Sequence, residues 1–104
     1  MKGTEIQDVI LDQLKGLGSV KMMSWGSHSF IGHQENNREG WLKFKVNGHH
    51  FQGWVKILLR ANDTYTIQFI KDGKIEKELD DVYFDQMVDI IDEKVEYIDD
   101  YGNN

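Results

Sequence analysis

The 104-residue chain contains no cysteine. That excludes disulfides, thiolate nucleophiles and thiolate metal sites. It also lacks any apolar run near the roughly 20 residues a membrane-spanning helix needs. Its first ten residues, MKGTEIQDVI, have no signal-peptide core. A cytoplasmic protein without membrane contact is the expectation, and Asn62-Asp63-Thr64 reads as a turn rather than a glycosylation site. Catalytic signatures are missing as well: no G-x-S-x-G, no Walker A and no HExxH occur. Gly16-Leu17-Gly18 begins a Gly-x-Gly, but Lys21 stands where the third glycine would be. Ser27, His28 and Ser29 alternate faces along one extended stretch, so adjacency makes no nucleophile and base. His49 and His50 are expected on opposite faces of a strand, which prevents them from sharing a metal. No catalysis, cofactor or metal is expected.

What the chain has in excess is acid, placed at one end. The net charge is −6, yet Asp80 to Asn104 hold nine acids and one lysine, while residues 1–79 hold nine acids and eleven bases. The C-terminal segment is thus −8 and the rest +2. Such local acidity disfavours phosphate-rich partners there and favours basic ones.

Residues 41–60, WLKFKVNGHHFQGWVKILLR, organise the chain. Two alternating apolar runs flank Asn47-Gly48, a strong type I′ hairpin signal. A two-residue turn pairs Val46 with His49, Phe44 with Phe51, Leu42 with Gly53 and Trp41 with Trp54. Alternation then sorts Leu42, Phe44, Val46, Phe51, Val55, Ile57 and Leu59 onto a core face. The other face takes Trp41, Lys43, Lys45, His50, Gln52, Trp54, Lys56, Leu58 and Arg60. Gly53, on the core face, leaves room for a helix to come close.

The flanking segments complete one domain. Ile6, Val9, Ile10, Leu14 and Leu17 share a helical face over residues 4–17, with Thr4 and Gln7 as a capping box and Gly16 and Gly18 as the stop. Residues 19–34 alternate as a strand or bent strand pair, with Gly26 as a bulge or kink. HQENNREG, from His33 to Gly40, is the longest loop. Strands follow over about 65–71, with Tyr65, Ile67 and Phe69 inward, and 74–79. An odd-length loop, such as a three-residue one with Asn or Asp left-handed, joins 49–60 to 65–71. The Asp72-Gly73 turn leaves two registers open, one pairing Ile70 with Ile75 outside and one placing Ile75 and Leu79 in the core. A second helix spans 82–98, capped by Asp80 or Asp81, with Phe84, Met87, Val88, Ile91, Val95 and Ile98 on its apolar stripe; residues 99–104 form a tail. The prediction is a two-layer α+β fold: an antiparallel meander of four to five strands with both helices on one face.

Two surfaces are candidates for function. Asp85, Asp89, Asp92, Glu93, Glu96 and Asp99 form an acidic interaction stripe on the second helix, with only Lys94 among them. Trp41, Lys43, Lys45, Trp54, Lys56, Leu58 and Ile70 form a sheet-face patch. Aromatics interleaved with cations hold single-stranded nucleic acids by stacking and phosphate contacts. An apolar patch of that size equally suits a protein partner or a homodimer, unless residues 19–40 cover it.

The α-β-β-β(-β)-α order resembles the double-stranded-RNA-binding domain. That family grips phosphates at a lysine-rich start of its last helix. Here the stretch is Asp80-Asp81-Val82-Tyr83-Phe84-Asp85, with the charge inverted, so double-stranded nucleic acid is not an expected partner. Trp25-Gly26, Val46-Asn47-Gly48 with Gly53, and Tyr83-Phe84-Asp85 leading to Ile91-Asp92 look like small acidic single-domain proteins of bacterial mobile elements and phages. That resemblance carries no activity; it implies a setting in which such proteins bind and block other proteins. The expectation is a small acidic protein-binding module, an inhibitor or modulator of a basic partner, with a single-stranded nucleic-acid-binding sheet as the alternative.

Overall fold

A computed structural model describes residues 6–95. It comprises α1 (Ile6–Ser24), β1 (His28–Gln34), β2 (Gly40–Asn47), β3 (Gln52–Leu59), β4 (Tyr65–Lys71), β5 (Lys74–Val82), a 3-10 turn (Phe84–Gln86) and α2 (Met87–Val95). The strands form one antiparallel sheet in the order β1-β2-β3-β4-β5. Both helices pack on one face, where Ile6, Ile10, Leu14, Met22 and Trp25 from α1 and Met87, Val88, Ile91 and Val95 from α2 join the inward side chains of β2, β3 and β4. The α+β meander expected from the pattern is the fold observed.

Helix α1 does not stop at Gly18. One residue, Gly18, leaves helical geometry and the helix resumes to Ser24. Residues 19–24 are therefore not a strand. The Val20, Met22 and Ser24 alternation yields to the i, i+3 spacing of Met22 and Trp25, both buried. The stop is Gly26, at φ +66. Gly26 N–H donates to the Met23 carbonyl and Ser27 N–H to that of Met22, at 3.0 and 3.3 Å. That is a Schellman ending, with glycine in the left-handed position, not a strand bulge. Gly18 has a different task. A Cβ there would lie 2.7 Å from Val88 Cγ1, so glycine lets the two helices approach. Leu17, expected on the buried face, is 44% exposed beside this kink.

The central hairpin also differs from its expected register. Asn47 pairs with Gln52, Val46 with Gly53, Lys45 with Trp54 and Trp41 with Leu58. The loop thus has four residues, Gly48 to Phe51. Neither Asn47 nor Gly48 has the positive φ that a type I′ turn requires. Tertiary contacts win over the local turn preference: Phe51 is buried with its ring 5.6 Å from Phe69, and His50 N–H donates to the Val95 carbonyl of α2 at 2.8 Å. His49 and His50 therefore lie on a loop. Because each partner moves by four residues, an even number, every β2 and β3 side chain keeps its expected face. No helix fills the space at Gly53. An added Cβ would meet the Ile70 carbonyl oxygen at 2.5 Å and the Phe51 ring at 3.0 Å.

The other turns follow their chemistry. Arg60 N–H donates to the Thr64 carbonyl and Asp63 is left-handed, which closes a three-residue loop over 61–63. Asp72 and Gly73 both have positive φ, so Ile70 pairs with Ile75 on the outer face. A shift at Phe69/Ile70 then brings Leu79 opposite Ile67 on the core side. The loop after β1 is short, residues 35–39. Asn36 Oδ1 accepts from the Arg38 and Glu39 N–H groups, which tightens it. Strand β5 runs on to the buried Val82, so Asp80 and Asp81 do not cap the last helix. Asp80 instead accepts the Thr66 hydroxyl at 2.8 Å, and Gln86 Oε1 accepts from Tyr83 N–H at the helix entry. Phe84 falls off the apolar stripe and is 51% exposed.

Candidate functional site

The register sorts the outer sheet face into three cross-strand rows. The first is His33, Trp41, Leu58 and Thr66; the second is Ile31, Lys43, Lys56, Gln68 and Glu78; the third is Lys45, Trp54, Ile70 and Ile75. A row led by two lysines thus lies between two rows that each contain a tryptophan. Lys43 and Lys56 are directly paired, an arrangement that costs stability between like charges. The tryptophans offset it. Lys56 Nζ sits 4.4 Å from the Trp41 ring centroid, and Lys43 Nζ sits 4.9 Å from that of Trp54 and 5.7 Å from that of Trp41. Lys45 Nζ is 5.5 Å from the Trp54 ring. Each such contact contributes about 0.5–1 kcal/mol at an exposed site. His33 stacks 5.6 Å from Trp41 and bonds to Glu35 at 2.9 Å.

All seven residues of the expected sheet-face patch are therefore brought together: Trp41, Lys43, Lys45, Trp54, Lys56, Leu58 and Ile70. The two tryptophans are not opposed, as the two-residue turn implied, but are separated by the lysine pair. The segment 19–40 does not cover this face, since its helical part lies on the other side and β1 extends the sheet edge. The loop at 35–39 reaches only its margin. There Glu35 and Glu39 with Trp41, Leu58 and Arg60 border an open hollow of about 230 Å³.

The acidic stripe is divided by its contacts. Trp25, wholly buried, donates its indole N–H to Asp92 at 2.9 Å. Lys21 Nζ lies 3.3 Å from Asp89 and 4.0 Å from Asp92. Compensation thus comes from α1, across the helix pair, a partner that spacing within α2 could not reveal. Lys94 turns away to Glu76 at 3.8 Å and to the Phe51 ring at 5.4 Å. Asp85 and Glu93 are exposed. Glu96 and Asp99 lie outside the described residues, as does Ile98.

Tyr65, at the inner edge of β4, has its hydroxyl pushed up to about 12 by burial and then by the Asp63 carboxylate. It donates to Gln13 of α1. Among the described residues no three His, Asp or Glu side chains come together to hold a metal, and no helix is long and apolar enough to cross a membrane. No family model matches the chain, and no curated protein or solved structure matches it either.

Proposed function

We propose that the chain is a non-catalytic protein-binding module that docks an acidic partner surface on the outer face of its sheet. One observation carries this reading: the lysine pair between two tryptophans, uncovered among the described residues. Ammonium groups resting on ring faces keep their remaining donors outward, where a carboxylate accepts them. Leu58 and Ile70 supply the apolar area beside them, which fits an interface better than a scattered surface hydrophobe. A partner held in this way is blocked or modulated rather than chemically changed. The acidic stripe supports a basic partner less well, because Asp92 and Asp89 are engaged within the chain and Asp85 and Glu93 remain.

Single-stranded nucleic acid is the second reading, favoured by the same tryptophans and lysines. A stacked base contributes about 1–3 kcal/mol, but here it must displace the cations from the rings, on a protein of net charge −6. Two measurements separate the readings. Peptides selected from a displayed library on the wild type should be rich in Asp and Glu, and should be lost with Lys56→Glu and with Trp54→Ser. Tryptophan quenching by single-stranded oligonucleotides at micromolar concentration and low salt, with no acidic peptides enriched, gives the face to nucleic acid. Basic peptides lost with Asp85→Asn and Glu93→Gln return the function to α2.

A further inference from the structure

The two edges of the sheet are built differently. Strand β5 carries Lys74, Glu76, Lys77, Glu78, Asp80 and Asp81, the charged guard that keeps an edge from pairing with another chain. Strand β1, HSFIGHQ, carries no Asp, Glu, Lys or Arg, and every residue in it is exposed; its pairing with β2 shifts between His28 and Ile31, where Ser29 stands at φ +60, so Ile31 to Gln34 form the regular part of this edge. Its outer edge has no neighbouring strand among the described residues. Exposed large apolar side chains stand on it and beside it: Phe30 at 40% and Ile31 at 46% on β1, and Met23 at 80% on the facing turn of α1. Met22, Met23 and Phe30 line an open groove between α1 and β1 of about 230 Å³.

We propose that the free edge of β1 pairs antiparallel with β1 of a second copy, which joins the two sheets into one. This goes beyond the partner site on the outer face. A second copy is the occupant because an antiparallel edge is self-complementary about a two-fold axis. With the axis at Ile31, that residue meets its own copy on the outer face. The helices also match. Gln34 accepts a bond from Ile6 N–H at the start of α1, while Phe30 neighbours Ser19 and Met23 near its end, so α1 runs antiparallel to β1. Pairing therefore lays two antiparallel α1 helices along the seam. Their exposed stripe of Asp8, Asp12, Lys15, Ser19 and Met23 changes from acid to base along its length, which sets Asp12 of each copy near Lys15 of the other.

Sedimentation of the wild type from micromolar to millimolar concentration should show a monomer–dimer equilibrium. Amide exchange in β1 should slow as concentration rises. Ile31→Lys, at an exposed position, should give a monomer with an unchanged circular dichroism spectrum. Lys15→Glu should weaken the dimer roughly tenfold, and adding Asp12→Lys should restore it. A monomer at every concentration with β1 exchange unchanged overturns the proposal. So does a dimer that survives Ile31→Lys, and so does an acidic-to-basic double reversal that fails to restore association. Trp54→Ser separates the two readings, since it should abolish acidic-peptide binding on the outer face and leave the monomer–dimer equilibrium in place.

Discussion

Replacing Trp25 with Phe tests both the extended α1 and the role of Asp92. The indole is fully buried in the core, and its N–H donates to Asp92 at 2.9 Å. Phe keeps an aromatic ring but removes this donor, and a hydrogen bond to a charged group contributes about 1.5–3 kcal/mol. The smaller ring also leaves a void; at roughly 24 cal/mol per Å³ of cavity this adds about 1 kcal/mol. The expected loss is about 3 kcal/mol, a large share of the roughly 5–15 kcal/mol that holds a domain together. Urea unfolding should show a lower midpoint with unchanged slope. Asp92→Asn keeps an acceptor and should cost less. The double variant should lose less than the sum of the two, because both changes remove one interaction. A Trp25→Phe loss below about 1 kcal/mol with strict additivity would mean that Trp25 is not seated against α2. Residues 19–25 would then not be the helical continuation described.

Three further outcomes follow from contacts of the same kind. Gly18→Ala should cost about 1–3 kcal/mol, because the added methyl meets a stiff valine branch; in a Val88→Ala background the same change should cost little, and an equal cost in both would refute the helix contact. Gly53→Ala should cost at least about 2 kcal/mol, since a Cβ would press on the Ile70 carbonyl oxygen at 2.5 Å; a neutral result would argue for a different β3–β4 register. Tyr65 ionises near 10 in an unfolded chain but near 12 here, so the folded state holds its proton longer. Its contribution is fully present below about pH 10 and is lost as pH rises through about 12. The urea midpoint should fall over that window, and Tyr65→Phe should remove part of the fall.

The sequence showed the layers more readily than the junctions. Period-two alternation over residues 41–59 assigned the right side chains to each sheet face, and it did so despite the wrong register, because a shift by an even number of residues is silent to facing. The register itself depended on Phe51 and His50, whose partners Phe69 and Val95 are distant in the chain. Local turn chemistry at Asn47-Gly48 carried no trace of them. In α1, glycine has two uses that look alike in sequence. Gly18 serves a helix–helix contact and Gly26 a left-handed cap, and only the second ends the helix. Spacing alone could have helped: Met22 and Trp25 lie three apart, with a glycine next, which is a helix-stop pattern. The candidate patch was legible as a set of residues. Its arrangement in rows was not, since rows are a property of register.

Charge in this fold is sorted by layer, and that bears on what the outer face meets. Helix α2, with Asp85 and Asp89 beside it or on it, lies on the helical side of the sheet. Lys43, Lys45 and Lys56 lie on the opposite side. A net charge of −6 would repel an acidic partner at long range, but beyond the Debye length of about 8 Å at physiological salt the exposed acids are largely screened. At close range the lysine row sets the local field, and its position over the tryptophans fixes it in place. Raising the salt should therefore slow the encounter of a basic ligand with α2 more than it speeds its dissociation, while an acidic ligand of the sheet should lose affinity in step with the number of lysines it touches. If two copies join at β1, their lysine rows lie on one continuous face. A partner with two acidic segments then binds the second intramolecularly, which raises avidity without any new contact. The uncharged edge and the cationic face would thus act as parts of one surface, with β5 and its charges marking where that surface ends.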